Sequence, residues 1–295
     1  MTPESTAPRI GFGVGGFPAA FTRRPEARDR GAVFNWLRAI GLDAIELQMT
    51  YGPRMPPATC RDYRRRAAEL GIRLSIHASY YIVLASPDAA KVARSVETLT
   101  RTYELADLLG AEEIVLHPGS LYGLAEDAAA RRFVDNAGAV LNRIGRTGAT
   151  LMIETAGKVG QMGSVDMILN AAAAVDGIGP CIDFGHVEAR TLGGLGTERA
   201  VMALFDRLAL FQGRNPTKRV HFHYTPIHFG PSGELQHRAL CDTDAAGHPF
   251  FPRPEPVVRG LTGLQGSFTV ISETLDSQEQ GAMRLRDLAN EALRL

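Results

Sequence analysis

Residues 113–154 read EIVLHPGSLYGLAEDAAARRFVDNAGAVLNRIGRTGATLMIE, and they alternate between two kinds of hydrophobic pattern. A short apolar run (Glu113–His117) is followed by a longer stretch with helical spacing (Ala125–Ile144) and by a second short run (Thr150–Glu154). Short runs rich in branched residues are typical of buried parallel strands, which need a crossover helix between them. This stretch therefore predicts a strand, a helix and a parallel strand.

The same alternation extends along the whole chain. Short apolar runs predict eight strands: Ile10–Val14, Ala44–Gln48, Arg73–His77, Glu113–His117, Thr150–Glu154, Cys181–Phe184, Arg219–His223 and Phe268–Glu273. The predicted helices are Ala27–Ile40, Arg61–Leu70, Ala89–Leu109, Ala125–Ile144, Val165–Val175, Glu198–Leu208 and Ser277–Leu293. Four of them are followed by a glycine suited to closing a helix: Gly41, Gly71, Gly110 and Gly148. Strict alternation favours a closed (β/α)8 TIM barrel over an open doubly wound sheet. We expect one catalytic domain, residues 9–295, after a flexible tail, residues 1–8.

Two segments fall outside this alternation. Tyr224–Glu255 is long, is rich in Gly, Pro and His, and has no helical period, which predicts a functional loop. Gly11–Gly16 is rich in glycine but lacks the spacing and the lysine of a phosphate-binding loop, so we interpret it as a tight turn after the first strand.

Composition limits the class of protein more than it identifies a partner. The formal net charge of the 295 residues is zero, so any nucleic-acid surface has to come from local clusters of arginine. The three cysteines are far apart and are expected to be free thiols in a reducing compartment. The N-terminal residues lack the apolar core of a signal peptide, and no apolar run is long enough to cross a membrane. We expect a cytoplasmic protein that does not bind membranes.

Side chains that bind metals stand at or near the ends of six consecutive predicted strands. They are His77, His117, Glu154, Asp183, the pair His221 and His223, and Glu273, with His186 three residues beyond Asp183. A closed barrel brings the carboxyl ends of all its strands to one rim, where barrel enzymes have their active sites. Carboxylates packed there would repel one another without cations, and mixed imidazole and carboxylate ligands suit Zn, Mn, Co or Fe. A single histidine on a strand is usually a core group, but six successive strand ends predict a metal site.

Several motifs resemble the endonuclease IV family, the zinc-dependent abasic-site endonucleases among the xylose-isomerase-like barrels. They are Leu116-His117-Pro118-Gly119, Ile153-Glu154-Thr155-Ala156-Gly157, Asp183-Phe184-Gly185-His186 and Ile271-Ser272-Glu273-Thr274. The resemblance runs from about residue 10 to the C-terminus and implies up to three zinc ions. By this resemblance His77, His117 and Glu154 bind the first ion, and Glu154 bridges to a second ion bound also by Asp183, His221 and Glu273.

The chain departs from the family at the third ion. The resemblance assigns His186 to it, together with an Asp-x-His pattern after strand seven. Here the nearest match is Glu234-Leu235-Gln236-His237, with another acid and one more residue of spacing. We predict His186 and His237 as its imidazole ligands with Glu234 as the candidate acid. The cofactor is thus predicted as two or three Zn2+ ions, with Mn2+ as an alternative. His223 stands where the family has asparagine.

The resemblance implies cleavage of damaged double-stranded DNA on the 5′ side of an abasic site, as in base excision repair. Ions sharing a carboxylate can activate a water for attack on phosphorus, and Glu154 is the predicted catalytic residue. Arg54, Tyr80 and Tyr81 match family positions that enter the duplex, although tyrosines there can equally line a small-molecule pocket. Extruding a nucleotide costs less where the base is missing. We expect the protein to act as a monomer.

Two other functions remain open. A sugar isomerase or epimerase on the same barrel needs one ion, held by Glu154, Asp183, His221 and Glu273, and zero net charge fits that class. His77 and His117 favour the endonuclease, since an epimerase does not need them as ligands. A non-catalytic binding domain is disfavoured, because such a domain is expected to lose ligands and almost all are present.

Overall fold

A computed structural model of the chain describes residues 7–145 and 148–294. Its strands are β1 (Arg9–Gly15), β2 (Ala44–Gln48), β3 (Arg73–His77), β4 (Glu113–Leu116), β5 (Thr150–Glu154), β6 (Ile178–Asp183), β7 (His221–Tyr224), β8 (Ile227–Gly230), β9 (Gly233–His237) and β10 (Ser267–Ser272). Its α-helices are α1 (Ala19–Thr22), α2 (Ala32–Ala39), α3 (Pro57–Leu70), α4 (Ala89–Leu109), α5 (Glu126–Ile144), α6 (Val165–Ala174), α7 (Phe184–Arg190), α8 (Glu198–Arg214), α9 (Pro254–Gly263) and α10 (Gln278–Ala292).

Eight of these strands close into a barrel in the order β1, β10, β7, β6, β5, β4, β3, β2, and all the barrel pairings are parallel. The predicted TIM barrel is confirmed, and each of its strands overlaps a predicted run. Residues 1–6 of the predicted tail lie outside the described residues. No helix in the described ranges has both the length and the apolar character needed to cross a membrane.

The main hydrophobic core lies between the strands and the surrounding helices. It includes the buried side chains of Phe34, Leu99, Phe133, Phe184 and Leu285. The lumen of the barrel is different, because side chains meet there across non-adjacent strands and many are polar. Ser75 and Glu46 on neighbouring strands hydrogen-bond there, and His221 on β7 reaches Glu113 on β4. Aliphatic residues usually fill this layer, so its polarity calls for a chemical explanation.

Two predictions about glycines need correction. Gly11, Gly13 and Gly15 lie in β1 and not in a turn; only Gly16, with a φ of +74°, begins the turn. A Cβ on Gly13 would lie 2.2 Å from the carbonyl oxygen of Ala44, so close strand packing explains that glycine. Gly145, with a φ of +72°, ends α5 in place of the predicted Gly148.

Tyr224–Glu255, predicted as a loop without regular structure, contains an antiparallel hairpin of β8 and β9. Each of these strands has only four or five residues, which is too short for an alternating sequence pattern to distinguish a strand from a loop. Gly157 accepts a hydrogen bond from Glu234 N at 3.0 Å, so the hairpin folds back over the segment after β5. This contact brings the hairpin to the rim of the barrel.

Candidate metal centre

Glu154, the last residue of β5, lies at the centre of the rim cluster and is fully buried. Its Oε2 lies 3.3 Å from His77 Nε2 and 3.2 Å from His117 Nε2. Its Oε1 lies 3.1 Å from His223 Nδ1 and 3.2 Å from His186 Nδ1. Oε2 thus faces His77 and His117, and Oε1 faces His223 of a different group, which is the arrangement expected of a carboxylate that bridges two ions.

The first group joins His77, His117 and Glu154, whose ligand atoms all lie within 4.8 Å of one another. His77 Nδ1 lies 2.9 Å from the carbonyl oxygen of Ala78. A carbonyl can only accept, so Nδ1 carries a proton and Nε2 turns toward Glu154. Metal-binding histidines are commonly oriented in this way by a hydrogen bond from the other ring nitrogen. His77 and His117, which come from separate strands, therefore meet at Glu154.

The second group joins Glu154, Asp183, His223 and Glu273 within the same distance. Asp183 Oδ1 accepts a hydrogen bond from His186 N at 2.7 Å and so caps α7. Its Oδ2 is buried and has no hydrogen-bond partner among the described residues. An unpaired buried carboxylate oxygen is costly, so this donor set fits a bound cation.

The structure places His223, and not the predicted His221, in this group. Asp183 pairs in register with His223, whereas His221 pairs with Cys181 one layer deeper in the barrel. His221 Nδ1 lies 2.7 Å from Glu113 Oε2, away from Glu273. The geometry therefore favours His223 as the strand-seven ligand of the second ion.

The third group consists of His186, Glu234 and His237, the residues predicted for it. His186 Nε2 lies 3.5 Å from Glu234 Oε2, and His237 Nε2 lies 3.4 Å from Glu234 Oε1. In both rings Nδ1 donates to a carbonyl oxygen, that of Thr155 at 3.0 Å and that of Glu273 at 3.1 Å. Both Nε2 atoms are therefore directed to one carboxylate, which could hold a third ion with them.

The charges of these groups are strongly coupled in the metal-free protein. Burial lowers the pKa of His117 to about 3, so its ring is neutral and able to bind metal at physiological pH. Burial opposes protonation of His77 as well, but its hydrogen bond to Glu154 raises its pKa to about 9. Burial, with the charge of Glu154 adding to it, raises the pKa of Glu273. Carboxylates that resist ionisation together are stabilised by a shared cation.

The predicted DNA-binding residues follow strands β2 and β3, and Tyr80 lies beside the metal groups. Tyr80 is 56% exposed, and its ring stacks on His117 with the centroids 5.1 Å apart. Tyr81 is exposed as well, and Arg54 is an exposed residue in the loop after β2. Tyr80 helps to line a cavity of about 280 Å³ that the third group also borders. An aromatic face is therefore available to a ligand next to the metal-binding side chains.

Glu46 was not foreseen as a site residue. It is fully buried in β2, and its two oxygens lie 3.2 Å and 3.3 Å from His223 Nε2 and His221 Nε2. Its signal in the sequence is a charged residue in the middle of the apolar run Ala44–Gln48, where an acid is expected only with a partner. The signal for His223 is its place next to the end of β7, which matches the position of the other ligands.

The sequence matches the profile of the family described as xylose isomerase-like TIM barrels over residues 34–274. An uncharacterized protein from Methanocaldococcus jannaschii is 28% identical over 267 residues, 89% of this chain and 91% of that protein. A probable endonuclease 4 from Nitratidesulfovibrio vulgaris is 34% identical over 169 residues, which cover 53% of this chain and 60% of that protein. The match thus spans about three fifths of that endonuclease 4 relative. The resemblance to endonuclease IV noted in the motifs is confirmed.

Solved structures of two different activities share the fold. Endonuclease IV from Thermus thermophilus is 20% identical, covers 96% of this chain and 100% of its own, and has a TM-score of 0.65. D-psicose 3-epimerase from Clostridium cellulolyticum is 13% identical, covers 97% and 99%, and has a TM-score of 0.63. These nearly equal scores establish the barrel and do not distinguish the two activities.

Proposed function

Because the chain belongs to the family of xylose isomerase-like TIM barrels, we propose that it is a metal-dependent phosphodiesterase that cleaves DNA on the 5′ side of an abasic site. The observation that carries the proposal is the position of Glu154, with each carboxylate oxygen facing a different pair of histidines. Phosphodiester cleavage benefits from several ions, whereas epimerisation of a ketose needs one. The endonuclease 4 relatives support the same activity.

In this proposal three groups of side chains hold the ions, Zn2+ or alternatively Mn2+. His77, His117 and Glu154 hold the first; Glu154, Asp183, His223 and Glu273 the second; and His186, Glu234 and His237 the third. Bound ions would activate a water for attack on phosphorus and neutralise the phosphoryl oxygens. Glu154 is the catalytic residue, since its carboxylate also positions the attacking water between the first two groups.

The substrate is held by the rim. Tyr80 and Tyr81 offer exposed aromatic faces to a deoxyribose turned out of the duplex, and Arg54 offers a charge to a phosphate. Since base-less nucleotides are the easiest to extrude, such a rim selects abasic sites. Contacts between arginine and phosphate displace counterions, so binding to DNA should weaken as salt increases.

A duplex with one tetrahydrofuran abasic analogue and the same duplex intact test the proposal. Protein purified without chelator should nick the first preferentially, on the 5′ side of the analogue, and should contain at least two ions per chain by elemental analysis. If protein loaded with zinc or with manganese nicks both duplexes equally, or neither of them, the proposal is overturned.

A second candidate, ketose epimerisation, is supported by a specific observation. Glu154, Asp183, His223 and Glu273 form a complete four-residue group without any help from His77 or His117. The two functions separate in one comparison, because His117→Asn should abolish nicking while sparing an epimerase. Turnover of a free ketose by the wild-type protein, unchanged in His117→Asn, would favour the epimerase.

A further inference from the structure

The lumen of the barrel contains a second set of metal-competent side chains, which extends from the rim into the layer below it. Glu46 lies on β2, and His221 and His223 lie on β7; all three are fully buried. β2 and β7 are not neighbours in the barrel, so these side chains meet across its interior. A buried carboxylate between two imidazoles requires either protons or a cation to be stable there.

The contacts between these three residues lack the geometry of hydrogen bonds. Glu46 Oε1 lies 3.2 Å from His223 Nε2, and Glu46 Oε2 lies 3.3 Å from His221 Nε2. Nevertheless Glu46 Oε1 and both Nε2 atoms have no hydrogen-bond partner among the described residues. The atoms are close to one another without pointing at one another. Ligands around a tetrahedral zinc ion, with bonds of about 2.0–2.1 Å, lie roughly 3.3 Å apart in the same way.

Neighbouring carboxylate and hydroxyl groups orient these ligand atoms. Glu113 Oε2 lies 2.7 Å from His221 Nδ1 and accepts a hydrogen bond from it, so Nε2 is the ring nitrogen directed toward Glu46 in the lumen. Ser75 donates to Glu46 Oε2 at 3.0 Å. A carboxylate behind a metal-binding histidine is a recurrent arrangement in zinc sites.

We propose that His221 Nε2, His223 Nε2 and Glu46 bind a divalent transition-metal ion inside the barrel, separate from the ions at the rim. Cys181 Sγ lies within 4.8 Å of a ring nitrogen of each histidine, and we assign it as the fourth ligand of the proposed site. Two imidazoles, a carboxylate and a thiolate favour Zn2+. With all four positions taken by protein, the site holds strands β2, β6 and β7 together and has no place for substrate.

His223 connects this interior site to the rim. Its Nδ1 faces Glu154 Oε1 at 3.1 Å, whereas its Nε2 faces Glu46. With ions on both sides, each ring nitrogen of His223 would serve one of them, and metal binding would displace the ring protons. The interior site therefore shares the ligand His223 with the metal centre of the proposed function, but it does not depend on DNA being the substrate.

Anomalous diffraction from crystals of the wild-type protein, purified without chelator and soaked in zinc, tests the site directly. We expect a peak in the lumen between Glu46, His221 and His223, in addition to peaks at the rim. Peaks at the rim with none in the lumen would overturn the proposal and would indicate that protons balance the charge of Glu46.

Metal content in solution provides a second test. Glu46→Gln and His221→Asn should each hold one ion fewer per chain than the wild type. Glu279→Gln is the matched control, because Glu279 is a buried glutamate on α10, outside the barrel lumen. Wild-type ion content in folded Glu46→Gln and His221→Asn would contradict the proposal.

The result is separable from the proposed function. Loss of one ion in Glu46→Gln, in a protein that cleaves no abasic DNA, would support the interior site and overturn only the endonuclease. Preferential nicking of abasic DNA, with wild-type ion content in both interior variants, would support the endonuclease and overturn the interior site.

Discussion

Glu154 connects the greatest number of site residues, since four histidines lie within 3.3 Å of its two oxygens. A carboxylate in this position determines both the spacing of the first two groups and their charge. Its amide analogue has the same shape but cannot neutralise a cation. Substitution at this residue therefore separates the metal chemistry from the packing of the barrel.

We expect Glu154→Gln to reduce nicking of abasic duplex by at least about 100-fold, the upper end of losses seen even for outer-shell metal partners. Ion content should fall, while the circular dichroism spectrum should stay unchanged. Glu104→Gln, on the exposed face of α4, is the control and should behave as wild type. Full activity and ion content in Glu154→Gln would exclude the bridging role.

Tyr80 permits a test of the rim that leaves the metal ligands in place. Tyr80→Ala should reduce nicking about tenfold, since stacking on an aromatic side chain contributes about 1–3 kcal/mol. Tyr80→Phe keeps the ring and should retain most of the activity. The ratio of nicking rate to ion content, measured for both variants, distinguishes substrate contact from metal loss. Equal losses in both variants would argue against stacking.

At the scale of elements, the sequence predicted all eight barrel strands, because a buried parallel strand leaves a clear apolar run. The register inside a run is less visible. Both His221 and His223 point into the lumen, since side chains two apart share a face, and only pairing with Asp183 identifies His223 as the rim residue. The resemblance to endonuclease IV assigns His221 to the second ion, whereas the geometric group contains His223.

The β8–β9 hairpin could not be predicted for a similar reason. Its strands are short, and its position depends on contacts with the segment after β5 that lie far away in sequence. Glu234 and His237 were nevertheless predicted, because they are the nearest match to the Asp-x-His pattern of the endonuclease IV family. The resemblance thus pointed to these candidate ligands, while their approach to His186 required the structure.

Gly157 offers a test of this hairpin. A Cβ at this position would lie 2.7 Å from Glu234 Oε2 and 3.1 Å from His186 Cδ2. We expect Gly157→Ala to displace Glu234 and to lower affinity for the third ion at least about tenfold, as for lost support of a metal ligand. Zinc titration by calorimetry measures this. Gly160→Ala, with no atom within 4 Å of its added Cβ, is the matched control. Equal zinc binding in the two variants would remove the hairpin from the site.

For the whole molecule, neither the fold nor the net charge determines the function. The same barrel occurs in an endonuclease and an epimerase at similar TM-scores, and the formal charge is zero. The chain gathers many titratable groups in the lumen and at the rim, from Glu113 to the half-buried His237. Such a chain of charges makes stability and metal content depend together on pH.

The sign of that dependence in the metal-free protein follows from the pKa values. Burial favours the neutral ring of His77, but its contact with Glu154 outweighs burial and raises its pKa from 6.5 to about 9. Glu234 has the same effect on His237, whose pKa also rises from 6.5 to about 9. Their contribution to stability is complete below about pH 6.5 and is lost as pH rises through about 9. Despite burial, His237 and His186 lower the pKa of Glu234 from 4.5 to about 2, so its contribution is lost as pH falls from about 4.5 toward 2. The lowered pKa of His117 acts between these limits, because its buried neutral ring adds stability as pH rises from about 3 to about 6.5. We therefore expect the highest Tm of EDTA-treated protein near pH 6.5.

Zinc should oppose the loss of stability above about pH 6.5. A ring nitrogen binds zinc only after losing its proton, so zinc affinity increases with pH, and a ligand bound only to the folded chain raises its Tm. The difference in Tm between zinc-loaded and EDTA-treated protein should therefore widen as pH rises from about 6 to about 9, as scanning calorimetry can measure. His248→Asn is the control, because the side chain of His248 is 76% exposed and lies in none of the candidate metal groups of the described chain. A difference in Tm that stays constant or narrows over this range would show that the histidines with raised pKa values do not bind the ions.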